Sequence, residues 1–156
     1  MKLKKDLSDQ LIHIESTLTD EQKLNASRTV VSGWSVNQHI DHLLKVDQSI
    51  LKGIIANERK SDKRINLIGR ASLFFGFIPR GRAKSPERVV GYNRSADELR
   101  RSLEEVRMAI EQIQPGKFEE SVIEHPVFGG LNSKEWLRFL AVHHLHHWKI
   151  VKEIWN

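Results

Sequence analysis

Asn132-Ser133-Lys134-Glu135-Trp136-Leu137-Arg138-Phe139-Leu140-Ala141-Val142-His143-His144-Leu145-His146-His147 is the stretch on which the fold turns. Asn132 followed three residues later by Glu135 is a helix-start signal. Apolar residues then recur at helical spacing through Val151 and Ile154 to the C-terminus. On a helical wheel advancing about 100° per residue, with Trp136 at zero, Leu140, Val151 and Ile154 fall within about 60° and define the buried face. On the same wheel His143 and His147 lie about 20° to either side of zero, and His144 and His146 about 80° away on opposite flanks.

The rest of the chain carries the same period. A first helix is expected from about Lys4 to Leu18, with Leu3, Leu7, Ile14 and Leu18 on one side. A second begins near Trp34 or Ser35, after the breaker pair Ser32-Gly33, and carries Val36, Ile40, Leu43, Ile50, Ile54 and Ile55. A third opens at Ser95, where Ser95-Ala96-Asp97-Glu98 forms a capping box. It runs through Leu99, Leu103, Val106 and Ile110 and stops before Pro115-Gly116. Strand signals are nearly absent, since the β-branched cluster Thr29-Val30-Val31 is too short to start a sheet. Four amphipathic helices in one domain, residues 1–156, give an all-α four-helix bundle. Residues 57–94 form a long connection between the second and third helices, with a short helix expected over Ile65 to Phe77. Connections of that length tend to be functional or mobile, which makes this one a lid candidate.

The bulk properties narrow the function. With 156 residues, 39% of them hydrophobic and 29% charged, the chain can bury a core of its own. It has no cysteine, which removes disulfides, thiolate ligands and cysteine nucleophiles and fits a reducing compartment. The N-terminus lacks the apolar stretch of a signal peptide. The longest apolar run, Leu73 to Ile78, is far short of the roughly 20 residues of a membrane span. A cytoplasmic location without a membrane is therefore expected. Much of the net charge of +5 comes from Arg59, Lys60, Lys63, Arg64, Arg70, Arg80, Arg82, Lys84 and Arg88. The phenylalanines of this region sit together in one apolar run. Without a recognised motif or interleaved aromatics the basic run reads as a solvated connection, and nucleic acid is not the expected partner. No Ser-His-Asp arrangement, phosphate loop or dinucleotide fingerprint is present.

Histidine carries the chemistry. Four of the eight histidines fall between His143 and His147. An i, i+4 pair on one helical face can hold one ion, and two imidazoles buried side by side otherwise need partners for their nitrogens. His143 and His147 are therefore read as ligands of a divalent metal, the alternative being a hydrogen-bonded polar core. Further ligands must come from the second helix, where His39 lies about 60° and His42 about 120° from Val36. Periodicity favours His39, weakly. A site with three imidazoles would leave positions open, as catalytic metal sites do. His125, before Pro126 in the loop that leads to the last helix, is the one acid/base candidate; it could equally anchor its turn. Trp34 reads as a core or staple residue, and His13 has no supporting pattern. His144 and His146 read as solvated, or as outer contacts that orient a neighbouring imidazole.

Two motifs give the chain a resemblance. Trp34-Ser35-Val36-Asn37-Gln38-His39-Ile40-Asp41-His42-Leu43 resembles the W-S-x-x-x-x-x-x-H-L signature of the DinB-like superfamily of four-helix metal-binding proteins. His125-Pro126-Val127-Phe128-Gly129, followed by His143-His144-Leu145-His146-His147, is similar to an uncharacterised branch with an H-P-x-F-G loop and an H-x-x-H-H final helix. The resemblance implies His42, His143 and His147 as the ligand set, with Asp47 at a position often acidic in the family. It implies a zinc or nickel ion, thiol S-transfer or thiol-dependent isomerisation with a low-molecular-weight thiol, and a homodimer. Ile150 departs from the pattern, standing where family members often carry Gln. Two functions follow as expectations. One is a metal-dependent transferase or hydrolase acting on a small molecule. The other is a non-catalytic helical module whose histidine cluster is structural or vestigial and whose basic connection binds an acidic partner.

Overall fold

The computed structural model describes residues 2–56, 62–81, 85–113 and 122–156. Its long helices are α1 (Lys2–Thr17), α3 (Val36–Ile55), α5 (Ala96–Gln112) and α6 (Ser133–Trp155), with the shorter α2 (Glu21–Leu24) and α4 (Leu67–Phe75) between them. The four-helix bundle read from the sequence is the architecture found. Around the bundle each long helix touches two others: α1 packs on α6 and α5, and α3 packs on α5 and α6. The core is mainly aliphatic, built on Leu7, Leu11 and Ile14 of α1, Ile40 and Leu44 of α3, Leu99 and Val106 of α5, and Leu137 and Leu140 of α6, with Phe128, Trp136, Phe139 and Trp148 beside them.

The helix starts are set by side chains. Both expected caps form: Glu98 N–H donates to Ser95 Oγ at 3.3 Å and Ser95 N–H to Glu98 Oε2 at 2.9 Å. Glu135 N–H donates to Asn132 Oδ1, and Asn132 N–H to Glu135 Oε2, each at 2.9 Å. A third capping box, Ser35 with Gln38, opens α3. Each satisfies backbone donors that a helix start leaves unpaired, worth about 1 kcal/mol. The short helix expected over Ile65 to Phe77 is α4.

One expectation is corrected. Val122–His125 (β1) and Gly129–Asn132 (β2) form an antiparallel hairpin, with Val122 opposite Asn132 and His125 opposite Gly129. Strand signals fail here because each strand has only four residues and β2 begins with Gly129-Gly130. Those glycines are needed for packing: a Cβ on Gly130 would lie 2.1 Å from the Lys63 carbonyl oxygen, and Gly129 holds φ +82°. Ile65 bridges to Gly129, and Asn66 N–H donates to the Phe128 carbonyl at 2.8 Å. The hairpin thus ties the start of α4 to the entry of α6. Arg59, Lys60, Arg82 and Lys84 of the basic run, and the Pro115-Gly116 breaker, lie outside the described residues.

Past α4 the chain makes a 3₁₀ turn at Glu87–Val89 and then runs along α3. Asn37 bonds Arg94 in both directions, Nδ2 to the carbonyl at 2.8 Å and Oδ1 from the N–H at 2.9 Å. Tyr92 N–H donates to Asp41 Oδ2 at 2.8 Å, and Lys45 Nζ to the Val90 carbonyl at 2.9 Å. This strap covers the outer side of α3, so polar residues such as Asn37 and Asp41 are buried there.

Candidate metal centre

α3 and α6 pack side by side in the bundle, and one turn of each supplies histidines to the gap between them. His42, His143 and His147 bring one ring nitrogen apiece to within 4.8 Å of one another. The converging atoms are Nε2. His143 Nε2 is 3.1 Å from His147 Nε2 and 3.3 Å from His42 Nε2. Two nitrogens each about 2.0–2.1 Å from one tetrahedral zinc lie about 3.3 Å apart, so the spacing fits a shared divalent ion.

The second nitrogen of each ring decides whether Nε2 is free to ligate. His42 Nδ1 lies 2.6 Å from the Val89 carbonyl. A carbonyl only accepts, so Nδ1 carries the proton and neutral His42 presents a bare Nε2. His147 Nδ1 lies 2.8 Å from His39 Nδ1. His143 Nδ1 is buried and has no hydrogen-bond partner among the described residues. All three rings are buried. Desolvation, reinforced by neighbouring histidines, holds His143 and His147 well below the usual imidazole range. His42 is lowered chiefly by desolvation, against the opposing Val89 bond. The cluster is therefore neutral near pH 7, the state in which imidazole donates to metal.

The α3 imidazole that converges on His143 and His147 is His42, whereas His39, which periodicity favoured, stands outside that group. Wheel angle failed because α3 has no solvent side here. α5, α6 and the strap together cover it, and a residue about 120° from Val36 still faces a gap between helices. Trp34 covers the outer edge, its ring centroid 5.1 Å from that of His42 and 5.5 Å from that of His39. His39 lies outside the triad, between His147 and Ser32. Burial lowers its pKa to about 4.

His144 is not a solvated flank. It is fully buried and places Nε2 at 2.8 Å from Oδ2 of Asp47, itself fully buried. This pair braces α6 to α3 one residue along from His143, while Asp47 Oδ1 and His144 Nδ1 have no partner among the described residues. His146 is half-buried, its pKa lowered first by burial and then by Arg80. Ile150 is buried in the apolar core. His125 ends β1, and its Nδ1 accepts from both Val127 N–H and Phe128 N–H at 3.1 Å. It anchors the turn, with Nε2 left as a donor. Burial lowers its pKa to about 4. Its ring meets Phe139 at 4.8 Å, and Phe139 in turn stacks on His143 at 5.2 Å. His13 packs edge-on against Trp148.

The family profile described as the DinB superfamily matches residues 5–151. The chain belongs to the DinB superfamily. It is also 31% identical over 143 residues to the uncharacterised protein YuaE of Bacillus subtilis (strain 168), spanning 88% of this chain and 85% of that protein. No solved structure gives a significant match. DinB membership agrees with the all-helical bundle and with a histidine triad on facing helices. Among the described residues no helix is long and apolar enough to cross a membrane.

Proposed function

We propose that this DinB-superfamily chain binds one divalent ion, zinc or nickel, through Nε2 of His42, His143 and His147. The observation that carries the proposal is the convergence of those atoms together with the Val89 bond that keeps the His42 lone pair free. Bound there, the ion would supply the Lewis acidity that makes water or a thiol nucleophilic near neutral pH. The chain's own part is to hold three neutral imidazoles at fixed spacing and to exclude bulk water with Trp34 and the strap. His125 would contribute a hydrogen-bond donor at Nε2. The reaction class is a metal-dependent transfer to or from a low-molecular-weight thiol, or a hydrolysis, in a cytoplasmic homodimer.

A second reading is favoured by the depth of the triad, whose residues are only 4% (His42), 8% (His143) and 7% (His147) exposed. An ion so enclosed could be structural, in a module whose exposed Arg64, Arg70 and Arg88 meet an acidic partner. Metal analysis on protein purified without a histidine tag, followed by thiol-transfer assays with and without chelator, separates the two. About one equivalent of ion and chelator-sensitive turnover are expected. Absence of bound metal defeats the metal proposal. Metal without turnover leaves the structural reading.

A further inference from the structure

We infer that His39 is a positioning residue that selects the tautomer of His147, through a hydrogen-bond chain ending at Ser32 and the Trp34 backbone. This rests on the three-histidine reading above. His39 Nδ1 and His147 Nδ1 are 2.8 Å apart, and His39 Nε2 lies 3.0 Å from Ser32 Oγ. Ser32 Oγ also accepts the Trp34 N–H at 3.1 Å.

One proton must lie between the two Nδ1 atoms, and neutral rings allow two arrangements. If His39 holds that proton, neutral His147 carries its own proton on Nε2, aimed at His143, and cannot ligate. If His147 holds it, His147 Nε2 is bare. His39 Nδ1 then accepts, so His39 carries its proton on Nε2 and donates it to Ser32 Oγ. Ser32 receives His39 and the Trp34 N–H on its two lone pairs, and its own hydroxyl proton turns away. Only the second arrangement is compatible with metal. His147 donates to His39 and His39 to Ser32, which accepts the Trp34 N–H from the other side.

The geometry also separates this role from ligation. His39 presents Nδ1 to His147 Nδ1, on the ring edge opposite the converging Nε2 atoms. It plays for His147 the part that the Val89 carbonyl plays for His42. A buried acceptor behind a ligating imidazole fixes its orientation and raises its donor strength, and loss of such a contact typically weakens metal binding by about 10–100-fold.

Substitution at His39 tests this with a built-in rescue. Asn places a carbonyl oxygen near the position of His39 Nδ1 and can accept from His147, whereas Leu cannot. Zinc affinity is measured by competition with a chelating dye, with thermal melts of each metal-free variant confirming that it folds. His39→Leu is expected to lose about 10–100-fold in zinc affinity and His39→Asn to recover most of it. Cadmium-113 and nitrogen-15 NMR of the wild-type protein should show coupling to His147 Nε2, a proton on His147 Nδ1 and no coupling to His39. Equal zinc affinity in wild type and His39→Leu would overturn the inference while leaving the triad intact. Cadmium coupling to a His39 nitrogen would also overturn it, by making His39 a ligand. A wild-type protein that takes up no zinc or cadmium would remove the triad reading and this one with it.

Discussion

The Val89 carbonyl accepts from His42 Nδ1 at 2.6 Å, so a backbone atom of the strap sets the tautomer of a histidine on α3. The strap can come this close because Gly91, two residues later, has no side chain. A Cβ there would lie 1.9 Å from the Gln38 carbonyl oxygen. Gly91→Ala should lift the strap from α3, lowering stability by about 1–3 kcal/mol and zinc affinity by about 10-fold or more. Urea melts and a zinc titration of the same variant measure both. Unchanged zinc affinity would mean that the strap does not orient His42.

The Asp47–His144 pair is fully buried, so removing one member leaves the other without compensation. Asp47→Ala takes away the buried partner of His144 Nε2 and is expected to cost about 1–3 kcal/mol. In a double-mutant cycle with His144→Ala, a coupling above about 1 kcal/mol should appear. Denaturant unfolding provides all four stabilities. Strict additivity would show that the contact contributes no coupling energy.

Acid should destabilise the metal-free protein steeply. Burial holds the pKa of His39 and His125 at about 4 and lowers those of His42, His143 and His147. The folded state therefore resists protons that the unfolded chain accepts near pH 6.5. Stability is fully present above about pH 6.5 and falls as pH drops toward 4, by on the order of 3 kcal/mol for His39 alone. Urea midpoints measured in chelator from pH 8 to pH 4.5 check the sign. A midpoint that holds constant or rises on acidification contradicts neutral burial of these rings.

α4 turns large apolar residues outward. Phe74 is 82% and Leu67 81% exposed, while Gly69 and Ser72 face inward. If the proposed homodimer uses this face, Phe74→Glu with Phe75→Glu should yield a monomer that binds metal as the wild type does. Sedimentation equilibrium reads the mass. A dimer that persists in the double variant would place the contact elsewhere.

The helices were legible because their signals are local. Apolar spacing and two of the three capping boxes located α3, α5 and α6 to within a few residues. The hairpin was hidden, since four-residue strands leave no periodic trace and Gly129-Gly130 reads as loop until the chain at Lys63 and Arg64 is seen against it. His143 and His147 were legible because they lie at the centre of an apolar stripe. Periodicity alone pointed to neither His42, which the family register implied, nor the buried contact of His144. A wheel gives direction and not the width of burial, and both residues are covered by elements remote in sequence: the strap over His42, and Asp47 against His144. The roles of Ser32, Asn37 and Asp41 left no sequence signal, since nothing local marks Asn37 and Asp41 as buried or Ser32 as a partner of His39.

The most direct test is a crystal structure of zinc-soaked, tag-free protein with anomalous difference density collected across the zinc edge. A single peak about 2.0–2.1 Å from Nε2 of His42, His143 and His147 is the expected result. Ordered imidazoles with no peak among them, or a peak on other residues, would contradict the account.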